Sequence, residues 1–445
     1  LASYGGGLNK YSPLTSLFNH FLINDDNKSY RVESFTETSN GTIWLSSEEQ
    51  GLFTTASSQK PKNFIFDFNL ESNIRWLNSN SNNKLWLRSA DNKVITFNVN
   101  TRALSDHPKW SKNANYKNDK LLIAVDNTLW FINNDGILTS YQTEQKKFNT
   151  YPTLNNVPLS SIQLSDENNF WLLSKNNKLL TFDISSKVYQ KQNISLPSSL
   201  DNSYIGKFQV SKNWIWLGSD YQGVLLINRK TSVLTTFNEN NGLTNNFISS
   251  ILIDDNENAW LSTNTGITQI NPFTSVISNF ENDFAISNPE FIEFSALKSK
   301  EGTMYFGSPN GYYSFNPKDL LQVKQDIRKP LFTNLYLKNK KVNVRNKENR
   351  TSNKTFTLSK NLGAINQVDL AYKQSPISFE FTSPNPKLSA QLRYRYRLVG
   401  LENNWIDAAI DTGSKNNRAT YTNLSPGDYI FEVQAYDIYE PSIAK

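Results

Sequence analysis

Apolar residues fall along this chain in short runs that often alternate with polar ones, and turn-forming residues separate the runs. That alternation is the period of a half-buried β-strand. No run approaches the roughly 18 uninterrupted apolar residues of a membrane-spanning helix. The runs themselves recur. NGTIWLSSEEQGLF, NNKLWLRSADNKVITF, DNTLWFINNDGILTSY, ENNFWLLSKNNKLLTF, KNWIWLGSDYQGVLLIN, ENAWLSTNTGITQIN and GTMYFGSPNGYYSFN align on Trp44, Trp86, Trp130, Trp171, Trp216, Trp260 and Tyr305. The spacings are 42, 44, 41, 45, 44 and 45 residues, and six of the ten tryptophans keep this register.

Each repeat reads as strands joined by tight turns. A polar turn such as Ser39-Asn40-Gly41 or Asp255-Asn256-Glu257 precedes the anchored strand. Six or seven residues after the anchor stands Gly51, Gly136, Gly223, Gly266 or Gly311, with Asn92 and Asn177 in the other two repeats. Glycine, then asparagine, are the residues that tolerate a left-handed backbone, so a tight turn is expected there. A strand precedes each anchored one, as Ser249–Ile253 and Phe294–Leu297, and a further run such as Phe64–Phe68 makes four per repeat. Four-stranded repeats of this length are propeller blades, with the anchor wedged between neighbours as core.

The predicted fold is therefore all-β: a seven-bladed β-propeller over residues 16–325, with an eighth blade left open, followed by an immunoglobulin-like β-sandwich over 326–445. The last repeat lacks a clear outermost strand, and Ser16–Asn24 is placed to supply it and close the ring. Residues 1–15 then read as the remnant of an upstream blade, because LASYGGGLNKYSP aligns with WLGSDYQGVLLIN once the tryptophan is removed. Beyond Pro330 come runs at Leu331–Leu337, Thr355–Leu358, Ile377–Thr382, Leu392–Leu398, Ala419–Thr422 and Tyr429–Tyr436. Short strands separated by Pro- and Gly-bearing turns point to a sandwich. Tyr429, Phe431, Val433 and Ala435 alternate with polar partners, which assigns them the core face. The domain reads as truncated at Lys445.

Composition narrows the chemistry. Cysteine is absent, which removes disulfides, thiolate nucleophiles and Cys-bound zinc and suits a periplasm. The two histidines, His20 and His107, leave almost no room for a Ser-His-Asp triad or a multi-histidine metal site. No cofactor, metal site or catalytic residue is predicted. Residues 331–445 hold 16 Lys and Arg against 10 Asp and Glu, whereas the first 330 carry 30 of each. A neutral propeller argues against nucleic-acid binding. The basic C-terminal excess reads as a solvated surface or as a neighbour of an anionic membrane.

The turns after the anchored strands vary most and should gather on one face near the channel, where propellers bind ligands. The candidates there are Glu48, Glu49, Arg88, Asp91, Asp135, Lys175, Asp220 and Tyr221. Arg88, Asp220 and Tyr221 stand out because sugars favour a flat aromatic beside planar hydrogen-bonding groups. Trp76 and Trp110 lie between anchors and either stack on a ligand or pack as ordinary core, whereas Trp214 shares the face of Trp216 and reads as core. Asp254-Asp255 sits in a repeat turn, which speaks against acid–base machinery. In RYRYR, Tyr394 and Tyr396 read as core, and Arg393, Arg395 and Arg397 as a solvated face or a surface for a partner.

NGLTNNFISSILIDDNENAWLSTNTGITQINP (241–272) resembles the repeat of the two-component regulator propeller family. RYRYRLVGLENNW (393–405) with ATYTNLSPGDYIFEVQAYD (419–437) resembles the Y_Y_Y domain that follows such propellers, with Tyr396, Leu398, Gly400, Leu401, Trp405, Tyr421, Leu424, Pro426, Gly427 and Tyr429 in the family's order. The resemblance implies the periplasmic sensor region of an inner-membrane signalling protein. It implies a small-molecule or oligosaccharide ligand, a homodimer in the intact protein, and a membrane anchor leading to a cytoplasmic histidine kinase or diguanylate cyclase. A carbohydrate-active propeller enzyme and a protein-interaction scaffold are the competing readings.

Overall fold

In the computed structural model of the chain, the described residues are all but 1, 4–6, 9–16, 23, 26–27, 48–50, 56–61, 64–73, 80–83, 90–93, 107–122, 126–127, 165–168, 177, 197–206, 281–285, 287–289, 323–328, 345–355, 385–391, 409–416 and 438–445. The chain divides into two compact units, Leu1–Gln322 and Val323–Lys445.

The described residues of the first unit hold seven four-stranded antiparallel sheets, one for each anchor. Consecutive strands pair in order, as in the sixth sheet: Ile248–Ile253, Ala259–Thr263, Ile267–Ile270 and Ile277–Phe280. The fourth strand of the first sheet is Lys62–Asn63, and the expected run Phe64–Phe68 lies outside the described residues. The seventh sheet takes strands from both ends of the unit. Ala296–Lys298, Met304–Ser308 and Gly311–Phe315 are joined by Asn19–Leu22, with His20 opposite Tyr313. Ala2–Ser3 and Gly7–Leu8 form a separate two-stranded sheet.

Each anchor is buried against the next sheet, and none is more than 6% exposed. Trp44 of the first sheet packs with Ile74, Leu77 and Leu85 of the second. Trp216 of the fifth packs with Ile248, Ile251 and Leu261 of the sixth. At the junction, Tyr305 and Tyr312 of the seventh pack with Val32, Phe35 and Leu45 of the first, and Ser295 Oγ donates to the Val32 carbonyl at 2.8 Å. The sheets thus close on themselves as a propeller, the arrangement that leaves no long unpaired edge. Burying each indole removes about 150–250 Å² from water, worth about 4–6 kcal/mol of transfer free energy.

A second periodic device sits at the outer turns. Asn98 Oδ1 accepts from the Asn100 and Thr101 amides, Asn228 Oδ1 from Lys230 and Thr231, and Asn271 Oδ1 from Phe273 and Thr274. Asp183 Oδ1 accepts from Ser186 in the same place. Each turn ends on a left-handed residue: Arg102, Lys187, Ser232 and Ser275. These are side chains capping their own turns.

The second unit is built on two sheets. One joins Lys340–Lys341, Leu331–Leu337, Ile377–Thr382 and Asn417–Tyr421; the other joins Ile406–Asp407, Leu392–Val399 and Ile430–Asp437. Their inner faces share one core of Phe381, Leu392, Tyr394, Leu398, Ala419, Tyr421 and Ala435, with Tyr429, Phe431 and Val433 packed onto it. The alternation along the last strand holds: Ile430 is exposed, and Glu432 and Gln434 turn outward to Arg397 and Arg395.

A lysine held between two carboxylates as the candidate functional site

The propeller brings residues of three neighbouring sheets together at one end of the fifth. Lys207 opens the innermost strand of that sheet, Lys207–Val210, and its side chain is 1% exposed. A buried ammonium has to be paired. The Lys207 Nζ donates to Asp220 Oδ1 and lies 3.0 Å from Glu293 Oε2. The rings of Phe247 and Phe294 stand 5.0 and 5.5 Å from the same nitrogen and complete its enclosure.

Local backbone geometry fixes each partner. Asp220 and Tyr221 occupy the turn between the strands Trp214–Gly218 and Val224–Asn228. Ser219 Oγ accepts from the Tyr221 and Gln222 amides at 3.2 and 3.1 Å. The turn is also tied to the approach of the sixth sheet, where the Gly223 amide donates to the Asn246 carbonyl and the Ile248 amide to the Ser219 carbonyl. Gly223 has φ +80°, and a Cβ there would stand 2.1 Å from the Phe237 carbonyl oxygen, so only glycine fits. Glu293 and Phe294 precede the innermost strand of the seventh sheet. Phe294 is itself left-handed (φ 60°), and its amide donates to the Ser249 carbonyl.

Two carboxylates meet one ammonium here. Glu293 and Asp220 remain partly exposed, and Tyr221, next to Asp220 in the chain, is 81% exposed. The turn offers a partly exposed carboxylate and an open aromatic ring. It suits a ligand that donates O–H or N–H groups.

The candidates of the sequence divide on this geometry. Asp220 and Tyr221 lie at the cluster. Asp135 and Lys175 are exposed in the equivalent turns of the third and fourth sheets. Two expectations need correction. Trp76 is no stacking platform: it is 5% exposed and packs with Trp86, Val94, Leu129 and Tyr141. A register shift between Ile74 and Trp76 in the innermost strand re-aims the chain there, which spacing from the anchors could not show. Arg88 is not a turn residue; it lies in the strand Lys84–Ser89, opposite Trp76, and is buried. Glu48, Glu49, Asp91 and Trp110 lie outside the described residues. Trp214 is half-buried and meets Phe273 edge-on at 5.7 Å.

Asp254 proves to be a structural group. Its Oδ2 accepts from Trp260 Nε1 and Asn258 Nδ2, both at 2.9 Å, and its Oδ1 from the Asn256 and Asn258 amides. Asp255 beside it pairs with Lys298 and Lys318, whose hydrogen bonds and charge hold its carboxyl below the usual range. Lys207, Glu293 and Phe247 went unnoticed in the sequence. A single lysine in an apolar strand carries no mark when one partner lies 13 residues away and the other 86.

In the C-terminal unit, Tyr394 is buried and Tyr396 packs onto the core. Arg395 and Arg397 lie outward across the indole of Trp405, at 5.4 and 4.6 Å. Glu402, two residues after Gly400, accepts from the Leu398 amide and from Tyr421 Oη, pinning the turn between the two tyrosine strands. Residues 387–444 match the Y_Y_Y domain family. Across 455 aligned residues the chain is 24% identical to histidine kinase P4 of Formosa agariphila, over 96% of this chain and 32% of the kinase. The chain thus spans about a third of that relative's length. Among solved structures, it is similar to the extracellular domain of a hybrid two-component system protein of B. thetaiotaomicron, with TM-score 0.64 and 22% identity over 95% of this chain and 55% of that one. A streptogramin B lyase, at TM-score 0.52 and 14% identity, covers 67% of this chain and 96% of its own. The chain therefore shares the fold of that extracellular domain: a propeller, then a unit whose residues 387–444 match the Y_Y_Y family. Among the described residues no helix is long and apolar enough to cross a membrane.

Proposed function

We propose that this chain is the periplasmic ligand-sensing region of a membrane-bound signalling protein. It binds a small, neutral, hydroxyl-rich ligand such as an oligosaccharide at the Asp220–Tyr221 turn. The Y_Y_Y domain passes the bound state to a cytoplasmic kinase or cyclase. The observation that carries this reading is the meeting of a buried Lys207, two carboxylates and an open tyrosine on a turn tied to the neighbouring sheet. Its acceptor oxygens would take sugar hydroxyls, and its ring would stack on a sugar face.

Calorimetric titration and thermal-shift screening of neutral oligosaccharides against the chain test it. Heat and a raised melting temperature are expected for at least one neutral sugar. Lys207→Met, which releases both carboxylates from their shared cation, should weaken that binding by about tenfold or more. No response to any sugar, or a response unchanged in the variant, would place the function elsewhere.

A further inference from the structure

The C-terminal unit carries an exposed basic pole on a hairpin and the turn beside it. Lys338 and Asn339 are both left-handed (φ 53° and 61°) and join Leu337 to Lys340, which pair across the hairpin. Two consecutive left-handed residues make the tight turn whose twist matches a hairpin, so this is a stiff prong. Its base is buried: Leu335, Leu337 and Val342 pack with Leu358 and Leu362. The Lys338 amide donates to the Pro376 carbonyl at 2.9 Å, which brings the turn Tyr372–Gln374 alongside. That second turn is held by Gln374, whose Oε1 accepts from the Ala371 amide at 2.6 Å.

Lys338, Lys340, Lys341 and Lys373 are all exposed on these two turns, and Tyr372 between them is 71% exposed. None of the four lysines makes an ion pair among the described residues, whereas Arg397 and Arg418 of the same unit do. Asp369, exposed three residues before Tyr372, is the nearest acidic group along the chain. Between Lys338 and Lys360 the sequence holds eight basic residues and one acidic one.

We propose that this pole docks on an anionic lipid surface. The four exposed cations on the two turns are lysines, compact hydrated charges suited to a diffuse negative surface. An exposed tyrosine at the level of the lysines fits the boundary of a bilayer, where its ring enters the headgroup layer and its hydroxyl stays wet. Each lysine near such a surface strengthens binding about fivefold, and salt screens the attraction.

The test is sedimentation of the full chain with vesicles of phosphatidylcholine alone or mixed with phosphatidylglycerol, at low and high salt. Binding is expected only to the mixed vesicles and only at low salt. The combined variant K338Q/K340Q/K341Q should bind on the order of a hundredfold more weakly, and Tyr372→Ala a few-fold more weakly. K212Q/K230Q removes two exposed charges from the propeller and should bind as the parent does; the melting temperature of each variant confirms its fold. Absence of vesicle binding overturns the proposal. So does an equal loss in K212Q/K230Q, which would make the effect one of net charge. Lysine-dependent binding of poly-aspartate without vesicle binding would assign the pole to an acidic protein and overturn it as well.

Discussion

The fifth and sixth sheets of the propeller are built on one register, yet they use their polar groups for opposite ends. In the sixth, the turn before the anchored strand runs Asp254–Asn258, and Asp254 takes four hydrogen bonds, one from the anchor Trp260 itself. In the fifth, the corresponding turn is shorter, Ser211–Asn213, and Ser211 Oγ reaches only the Trp214 carbonyl. The indole N–H of Trp216 has no hydrogen-bond partner among the described residues. The fifth sheet's carboxylate lies at its other end, where Asp220 meets Lys207. One sheet uses a carboxylate to fix its anchor; the other leaves its anchor to packing and pairs its carboxylate with a buried lysine.

The largest test of that contrast is Asp254→Ala. It leaves a buried indole N–H, an amide side chain and two backbone amides without their acceptor, and should cost about 3 kcal/mol in chemical unfolding. Ser211→Ala should stay within about 0.5 kcal/mol. Equal costs at the two positions would mean that the sixth sheet's cap is dispensable and the contrast empty. Next in size is a pair of glycines with the same φ of +80°. A Cβ at Gly41 meets nothing within 4 Å, so Gly41→Ala should cost about 1 kcal/mol for conformation alone. At Gly223 the methyl meets the Phe237 carbonyl, so Gly223→Ala should cost about 2–3 kcal/mol and shift the Asp220–Tyr221 turn, abolishing ligand binding with it.

The carboxylate that anchors also has a counterpart in the C-terminal unit. Glu380 is buried and accepts from Tyr336 Oη at 2.7 Å, Asn334 Nδ2 at 2.8 Å and Thr333 Oγ1 at 3.1 Å, with Arg418 Nη2 at 3.8 Å. Burial alone would raise its carboxyl, but those hydrogen bonds and the guanidinium hold it below the usual carboxylate range. A group depressed in the folded state adds stability that is complete at neutral pH and lost as pH falls through its folded pKa. The unit should therefore lose about 1–2 kcal/mol on acidification below the ordinary carboxylate range. Glu380→Gln should remove that part of the pH dependence; a variant with the parent's full acid profile would show that other groups carry it.

The anchors were legible because one aromatic per repeat has to be buried against the next sheet, and burial of that size leaves a period no surface pressure erases. The caps of the outer turns recur as well: Asn98, Asp183, Asn228 and Asn271 follow their anchors by 11 or 12 residues, whereas the first and third repeats have Ala56 and Gln142 there. They went unread because asparagine is common in every loop of this chain, so the signal lay in spacing alone. Bulges, as at Trp76, left no trace, since a register shift depends on the partner strand. The Lys207 cluster was half legible. Asp220 and Tyr221 stand in a variable turn, but what they meet is set by the ring, which brings residue 293 to residue 207.

The smallest effect on stability belongs to Tyr221, and there the two sheets separate most cleanly. Its ring is so exposed that Tyr221→Ala should change unfolding by no more than about 0.5 kcal/mol. The backbone amide of residue 221 still donates to Ser219 Oγ in the variant, so the turn and the Lys207–Asp220 pair stay in place. If the turn binds a sugar through that ring, affinity should nonetheless fall about tenfold, the value of one aromatic contact, while Tyr221→Phe should keep it. A variant that melts as the parent does and binds as the parent does would leave the carboxylates alone as the recognition element. A loss shared equally by Tyr221→Phe would assign the contribution to the hydroxyl and not to the ring.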